Sequence, residues 1–152
     1  MTNRFAIELR KGYEQVAASL PTEALERVAR ARDSINAELA ERNRLLAEVV
    51  SAYRAGPPHL WGPVILDLLA PSLVELLAWL RPEPPAFDEE EIRQQLVLEV
   101  LRAAATIPIR DGFDMKVRLL ARAYKYVVRW LAREGVRQGA QCSYEALREL
   151  ER

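Results

Sequence analysis

The chain has 152 residues, half of them apolar and 29% charged, a composition suited to one globular domain. Its 22 basic and 22 acidic side chains cancel to a formal net charge of zero, which excludes a general attraction of the whole molecule to polyanions. The single cysteine, Cys142, excludes an internal disulfide and fits a reducing, cytoplasmic setting; the charged opening MTNRFAIELRKGYE and the broken apolar run of residues 64–80 point to neither a secretory leader nor a membrane span.

Leu, Ala, Glu and Arg dominate, no segment alternates apolar and polar residues, and an all-α fold of five to six bundled or orthogonal helices is expected. The first helix is expected over residues 3–19, with Phe5, Leu9, Val16 and Leu20 toward a partner and Pro21 as its stop. A long second helix follows over residues 23–55. Its apolar positions Leu25, Val28, Ile35, Leu39, Leu46, Val49 and Tyr53 keep a mostly three-to-four spacing, interrupted by Arg32 and Arg42. Two readings fit that seam: a coiled-coil homodimer contact through residues 23–53, or a long helix lying on its own domain. After Gly56, Pro57 and Pro58, a third helix over residues 61–80 is apolar nearly all round, as a central element should be. Pro63 is tolerable in its first turn, whereas Pro71 should kink or divide it. Residues 81–86 hold three prolines and predict a loop.

The fourth helix begins near Asp88, where Glu89, Glu90 and Glu91 suit the positive end of a helix, and it shows an apolar stripe of Ile92, Leu96, Val100 and Ala103. Pro108 and the run Arg110, Asp111, Gly112 predict a turn. A fifth helix is expected over residues 113–134 with Gly135 as its stop, then a short last helix behind the N-cap Ser143.

A catalytic or metal site is hard to assemble from these residues, and no enzymatic activity and no cofactor is expected. The only histidine, His59, stands in a Pro-rich turn with no second histidine or cysteine cluster beside it. No phosphate-cradling or dinucleotide fingerprint is present. Asp88 to Glu91 are consecutive on a helix, so their side chains diverge instead of enclosing an ion.

Charge is, however, divided along the chain. Residues 82–101 hold six acids against one base, a balance of −5, and residues 110–137 hold eight bases against three acids, a balance of +5. Within VRLLARAYKYVVRWLAREG, at about 100° per residue with Arg118 as origin, Arg122, Lys125, Arg129 and Arg133 all fall within about 80° of arc. Leu120, Val127 and Leu131 centre near 200°, and Tyr126 and Trp130 edge the basic arc at about 80° and 120°. Such a face can neutralise several phosphates while aromatic rings offer stacking planes for unpaired bases. The plain alternative is the solvated back of an amphipathic helix.

The order of segments resembles the region-2 domain of bacterial sigma-70-type RNA polymerase sigma factors. LLAEVVSAYRAGPPHLWGPVILDLLAPSLVELLAWL looks like that family's opening helices, DEEEIRQQLVLEVLRAA is similar to the acidic helix around its D-L-x-Q-E motif, and GFDMKVRLLARAYKYVVRWLAREG resembles its promoter-recognising helix. The resemblance implies a region-2-like core over residues 45–135, preceded by a helical extension over residues 1–44 and followed by a short helix within residues 136–152. It also implies contact with RNA polymerase through Glu91, Gln95 and Glu99, with Leu96 standing where the motif has glutamate. Arg122, Lys125, Tyr126, Arg129, Trp130 and Arg133, with Arg118 beside them, are implied to face promoter DNA. The helix-turn-helix domain of complete sigma factors has no counterpart after Gly135, and the expectation is a free-standing, transcription-related DNA-binding protein. The competing expectation is a helical interaction module or homodimeric scaffold that does not bind DNA.

Overall fold

The computed structural model describes residues 3–35, 38–80, 88–110 and 114–150, without the side chains of residues 39 and 136–150. The described residues form seven helices and no strand: α1 (Arg4–Ala17), α2 (Thr22–Ser34), α3 (Leu39–Ala55), α4 (Pro58–Leu68), α5 (Ala70–Trp79), α6 (Glu89–Thr106) and α7 (Met115–Leu150). The loop expected over residues 81–86, the turn residues Asp111 and Gly112, and the capping side chain of Ser143 lie outside the described residues.

The all-α expectation holds, and the count is seven because residues 23–55 and 61–80 each form two helices while the last two expected helices are one. Residues 23–55 are not a continuous rod: α2 ends at the cap Ile35, and α3 starts after Glu38, which is extended at φ −56° and ψ 147°. A straight helix of that length would run roughly 50 Å and carry one half of its apolar seam past the core. Broken, the two halves pack on each other and bury Val28 and Ala31 from α2 with Leu45, Leu46, Val49 and Val50 from α3. The seam read as a dimer contact is therefore largely interior to this chain.

The arginines that interrupted the seam have buried work. Asp67 of α4 is 4% exposed at its side chain and accepts from Arg32 Nη2 at 2.6 Å and from Arg10 Nη1 of α1 at 3.0 Å. The Tyr13 ring centroid lies 5.2 Å from each of the same two guanidiniums. A buried carboxylate is tolerable only when charge and hydrogen bonds meet it, and two arginines do so here. This network ties α1, α2 and α4 together. Phe5, Leu9, Leu20 and Ala24 enter the same core, so the first two helices belong to the domain's packing.

At the end of α3, Gly56 takes φ +90°, a left-handed conformation that a residue with a Cβ adopts only with strain, and its N–H donates to Ala52 O. The following α4 begins at Pro58, earlier than expected, so Pro63 lies inside the helix instead of in its first turn. The division expected near Pro71 falls at Leu69, after which Pro71 occupies the first turn of α5, where its missing N–H costs no hydrogen bond. The two helices meet at 71°. Val64, Ile65, Leu69 and Leu73 are fully buried, as a centre packed on several sides requires. No single described helix is long and apolar enough to cross a membrane.

The last helix is the second departure. Gly135 does not stop it; the 36-residue α7 runs on to Leu150, so no separate short C-terminal helix exists among residues 136–150. Gly135 has no neighbour within 4 Å of where a Cβ would stand, so nothing crowds the helix at that point. A lone glycine lowers helix stability by only about 1 kcal/mol, and without a left-handed residue to reverse the chain the helix continues.

Candidate nucleic-acid interface

The cationic stripe is positioned from both ends of its neighbours. At the start of α7, the Arg42 side chain of α3 pairs with Asp114, and the Met115 N–H donates to Asn43 Oδ1 at 2.7 Å. Asp114 Oδ1 in turn accepts from Val117 N–H at 3.3 Å. Adjacent residues of α3 thus set where α7 begins and how it is rotated. Arg54, near the end of α3, donates from Nε to Ala104 O at 2.7 Å and from Nη2 to Ile107 O, closing the last carbonyls of α6. With both ends held, α6 and α7 pack along each other.

That rotation differs from the one expected. Over residues 115–135 the fully buried residues of α7 are Met115, Leu119, Ala123 and Val127, spaced by four, while Leu120 and Leu131 are half-buried. On the helical wheel Leu119, Ala123 and Val127 centre near 140°, about 60° from the centre expected from Leu120, Val127 and Leu131. The core face turns toward Tyr126 and Trp130. Trp130 is accordingly half-buried and packed against the core, and Tyr126 stands at the boundary. Neither ring is wholly exposed.

Arg118, Arg122, Lys125, Arg129 and Arg133 all emerge exposed on one side of α7. Tyr126 lies beneath two of them, with the guanidiniums of Arg122 and Arg129 at 5.6 Å and 5.5 Å from its ring centroid. At these distances each guanidinium is in cation–π range of the ring, and its N–H groups are not consumed by that contact.

The acidic helix does not neutralise this face through its own pairs. Glu89 and Glu90 pair with Arg93 of α6, and Glu99 pairs with Arg102 of α6. Of the residues matched to a polymerase contact, Glu91 is exposed, Gln95 is half-buried, and Glu99 is buried at 6% exposure. Gln95 Nε2 donates to Glu99 Oε1 at 3.0 Å, and Arg102 Nη1 donates to the same oxygen at 3.0 Å. Gln95 and Glu99 are therefore brought together with each other, inward, and Glu91 alone of the three faces outward.

Two flanking features were not read from the sequence. Between α6 and α7 lies a groove of about 440 Å³ lined by Glu99, Arg102, Thr106, Arg122, Tyr126 and Arg133. The only signal for it was Arg102 three residues after Glu99, which takes meaning once α7 is laid beside it. On the opposite flank, α5 and α7 enclose an apolar groove of about 500 Å³ that includes Trp79, Val117, Leu120 and Tyr124. Trp79 is 68% exposed and Val117 55%. His59 is exposed, and among the described residues no group of three His, Cys, Asp or Glu side chains is placed to hold a metal ion.

Comparison with known proteins adds no relative: no family model, no curated protein and no solved structure matches this chain.

Proposed function

We propose that this chain is a transcription-related DNA-binding protein of sigma region-2-like character that holds DNA, single-stranded DNA included, on the outer face of α7. The observation that carries this reading is the row of exposed cations Arg122, Lys125, Arg129 and Arg133, whose neighbouring acids on α6 are engaged with arginines of α6. Among the described residues no carboxylate pairs with Arg122, Arg129 or Arg133, so their guanidiniums face solvent where phosphates can reach them, and each one engaged releases counterions. Tyr126, held between Arg122 and Arg129, supplies the aromatic surface at this face. Trp130, packed on the core, fixes the helix beneath it and borders the DNA path. Contact with RNA polymerase, as part of this reading, rests on Glu91 and the first turn of α6, since Gln95 and Glu99 are engaged with one another.

The test is a salt titration with single-stranded and duplex DNA carrying a −10-like sequence. Engagement of about four phosphates, one per cation of the row, predicts a log–log salt slope near −2.8 on single strands. Arg122→Glu combined with Arg129→Glu should weaken binding by at least about tenfold, because each reversal removes a counterion-releasing contact and adds a repulsion. Absence of binding at about 50 mM salt, or binding indifferent to the double reversal, sinks the reading.

A second reading, a helical interaction module without DNA binding, is favoured by the exposed apolar groove around Trp79 and Val117. Homodimerisation through residues 23–53 finds less support, because Val28, Leu46 and Val49 are spent on the core of this chain. Light scattering across a concentration series separates the two: a monomer throughout removes the homodimer.

A further inference from the structure

We propose that the groove between α6 and α7 is a binding site for a small phosphomonoester, taken as its dianion. Among the described residues, three arginines line the groove, Arg102 from α6 and Arg122 and Arg133 from α7, with one carboxylate, Glu99. Three positive charges less one negative charge leave the described lining at +2, which complements the roughly −1.5 to −2 that a phosphomonoester carries near neutral pH.

The site is built as well as charged. Glu99 is buried and held by Gln95, so its 3.0 Å bond to Arg102 anchors that guanidinium by one edge. Arg122 lies in cation–π range of Tyr126, its guanidinium 5.6 Å from the ring centroid. A guanidinium has five N–H donors in a fixed fork, so both arginines keep donors for an anion after these contacts. Thr106 Oγ1 donates to Arg102 O at 2.8 Å, which spends its proton and leaves the guanidiniums as the anion's donors. The volume of about 440 Å³ exceeds what a bare phosphate fills and lies in the range of about 300–1,000 Å³ usual for small-ligand sites. The organic part of the ligand then lies beside Tyr126.

The groove is also separate from the rest of the cationic stripe. Arg118, Lys125 and Arg129 do not line it, and Arg102 lies on another helix. A phosphate seated there would neutralise Arg122 and Arg133, two of the five stripe cations, and so weaken DNA binding; this consequence alone rests on the DNA reading above.

The experiment is an amide-resolved NMR titration of the full chain at fixed ionic strength, with inorganic phosphate, AMP and adenosine as probes. Phosphate and AMP are expected to give saturable shifts confined to residues 99–106 and 122–133, with dissociation constants on the order of 1 mM or tighter. Adenosine should give none. Binding of AMP should weaken as pH falls below about 6 and its dianion takes up a proton. Arg122→Ala with Arg133→Ala should weaken it at least about tenfold, a loss of 1.4 kcal/mol by conversion, while Arg118→Ala with Lys125→Ala leaves it unchanged. Both pairs are exposed, and a melting curve checks that each variant folds. Non-saturating shifts spread over the surface, equal shifts with adenosine, or equal losses in both variant pairs would overturn the proposal. Phosphate binding without DNA binding leaves the groove standing and removes the DNA reading; DNA binding without localised phosphate shifts does the reverse.

Discussion

The arginines of the first three helices and those of α7 are the same residue type in two different physical settings. Arg10 and Arg32 converge on the buried carboxylate of Asp67, Arg42 clamps Asp114, and Arg54 closes the carbonyl end of α6. Arg122, Arg129 and Arg133 stand exposed on α7 with Tyr126 as the ring beneath two of them. The first group acts on oxygen atoms that the fold has removed from water, where losing the partner leaves an unsolvated charge or carbonyl. The second faces solvent, where a charge contributes little to stability and is available to a ligand. What separates them is the burial of the acceptor, not the arginine.

The largest expected effect breaks the first group. Asp67→Ala should destabilise the fold by about 2–4 kcal/mol in urea denaturation, below the full cost of breaking a buried pair because Arg10 and Arg32 are 49% and 35% exposed. A loss under about 1 kcal/mol would erase the distinction between the two groups. Arg54→Met should cost about 1–2 kcal/mol, since Ala104 O and Ile107 O lose a charged donor.

Smaller effects sharpen the α7 side. Gly135→Ala should stabilise the protein by about 0.5–1 kcal/mol, because the position is helical and open around a new Cβ. A destabilisation there in thermal melts would mean that the glycine ends the helix after all. Lys125→Ala should move stability by less than about 0.5 kcal/mol. If α7 is the DNA surface, the same change should lower the single-strand salt slope by about 0.7.

Much of the local structure was legible in the chain. The start of α6 near Asp88 was expected, and there the Asp88 carboxylate accepts from the Glu90 N–H. The breaks at Pro21 and at Gly56 follow from backbone chemistry that any tertiary context must respect. The five cations of α7 share an arc because of helical period alone, and they emerge together on one side. By contrast, the break between α2 and α3 carries no proline or glycine. It arises because two apolar half-seams must reach one core, a demand that exists only once the core does.

The sequence by itself determined that the chain is helical, roughly where α1, α2, α6 and α7 begin, and that cations share one side of α7. Only the tertiary structure decided how α7 is rotated, through Arg42 and Asn43 at its first turn and the close-packed row Leu119, Ala123 and Val127. A rotation of about 60° lies within what helical periodicity permits, since half-buried leucines and fully buried alanines read alike in a pattern of apolar positions. That rotation is what sets Tyr126 at the edge of α6, brings Arg102 opposite Arg122, and turns a stripe into a groove.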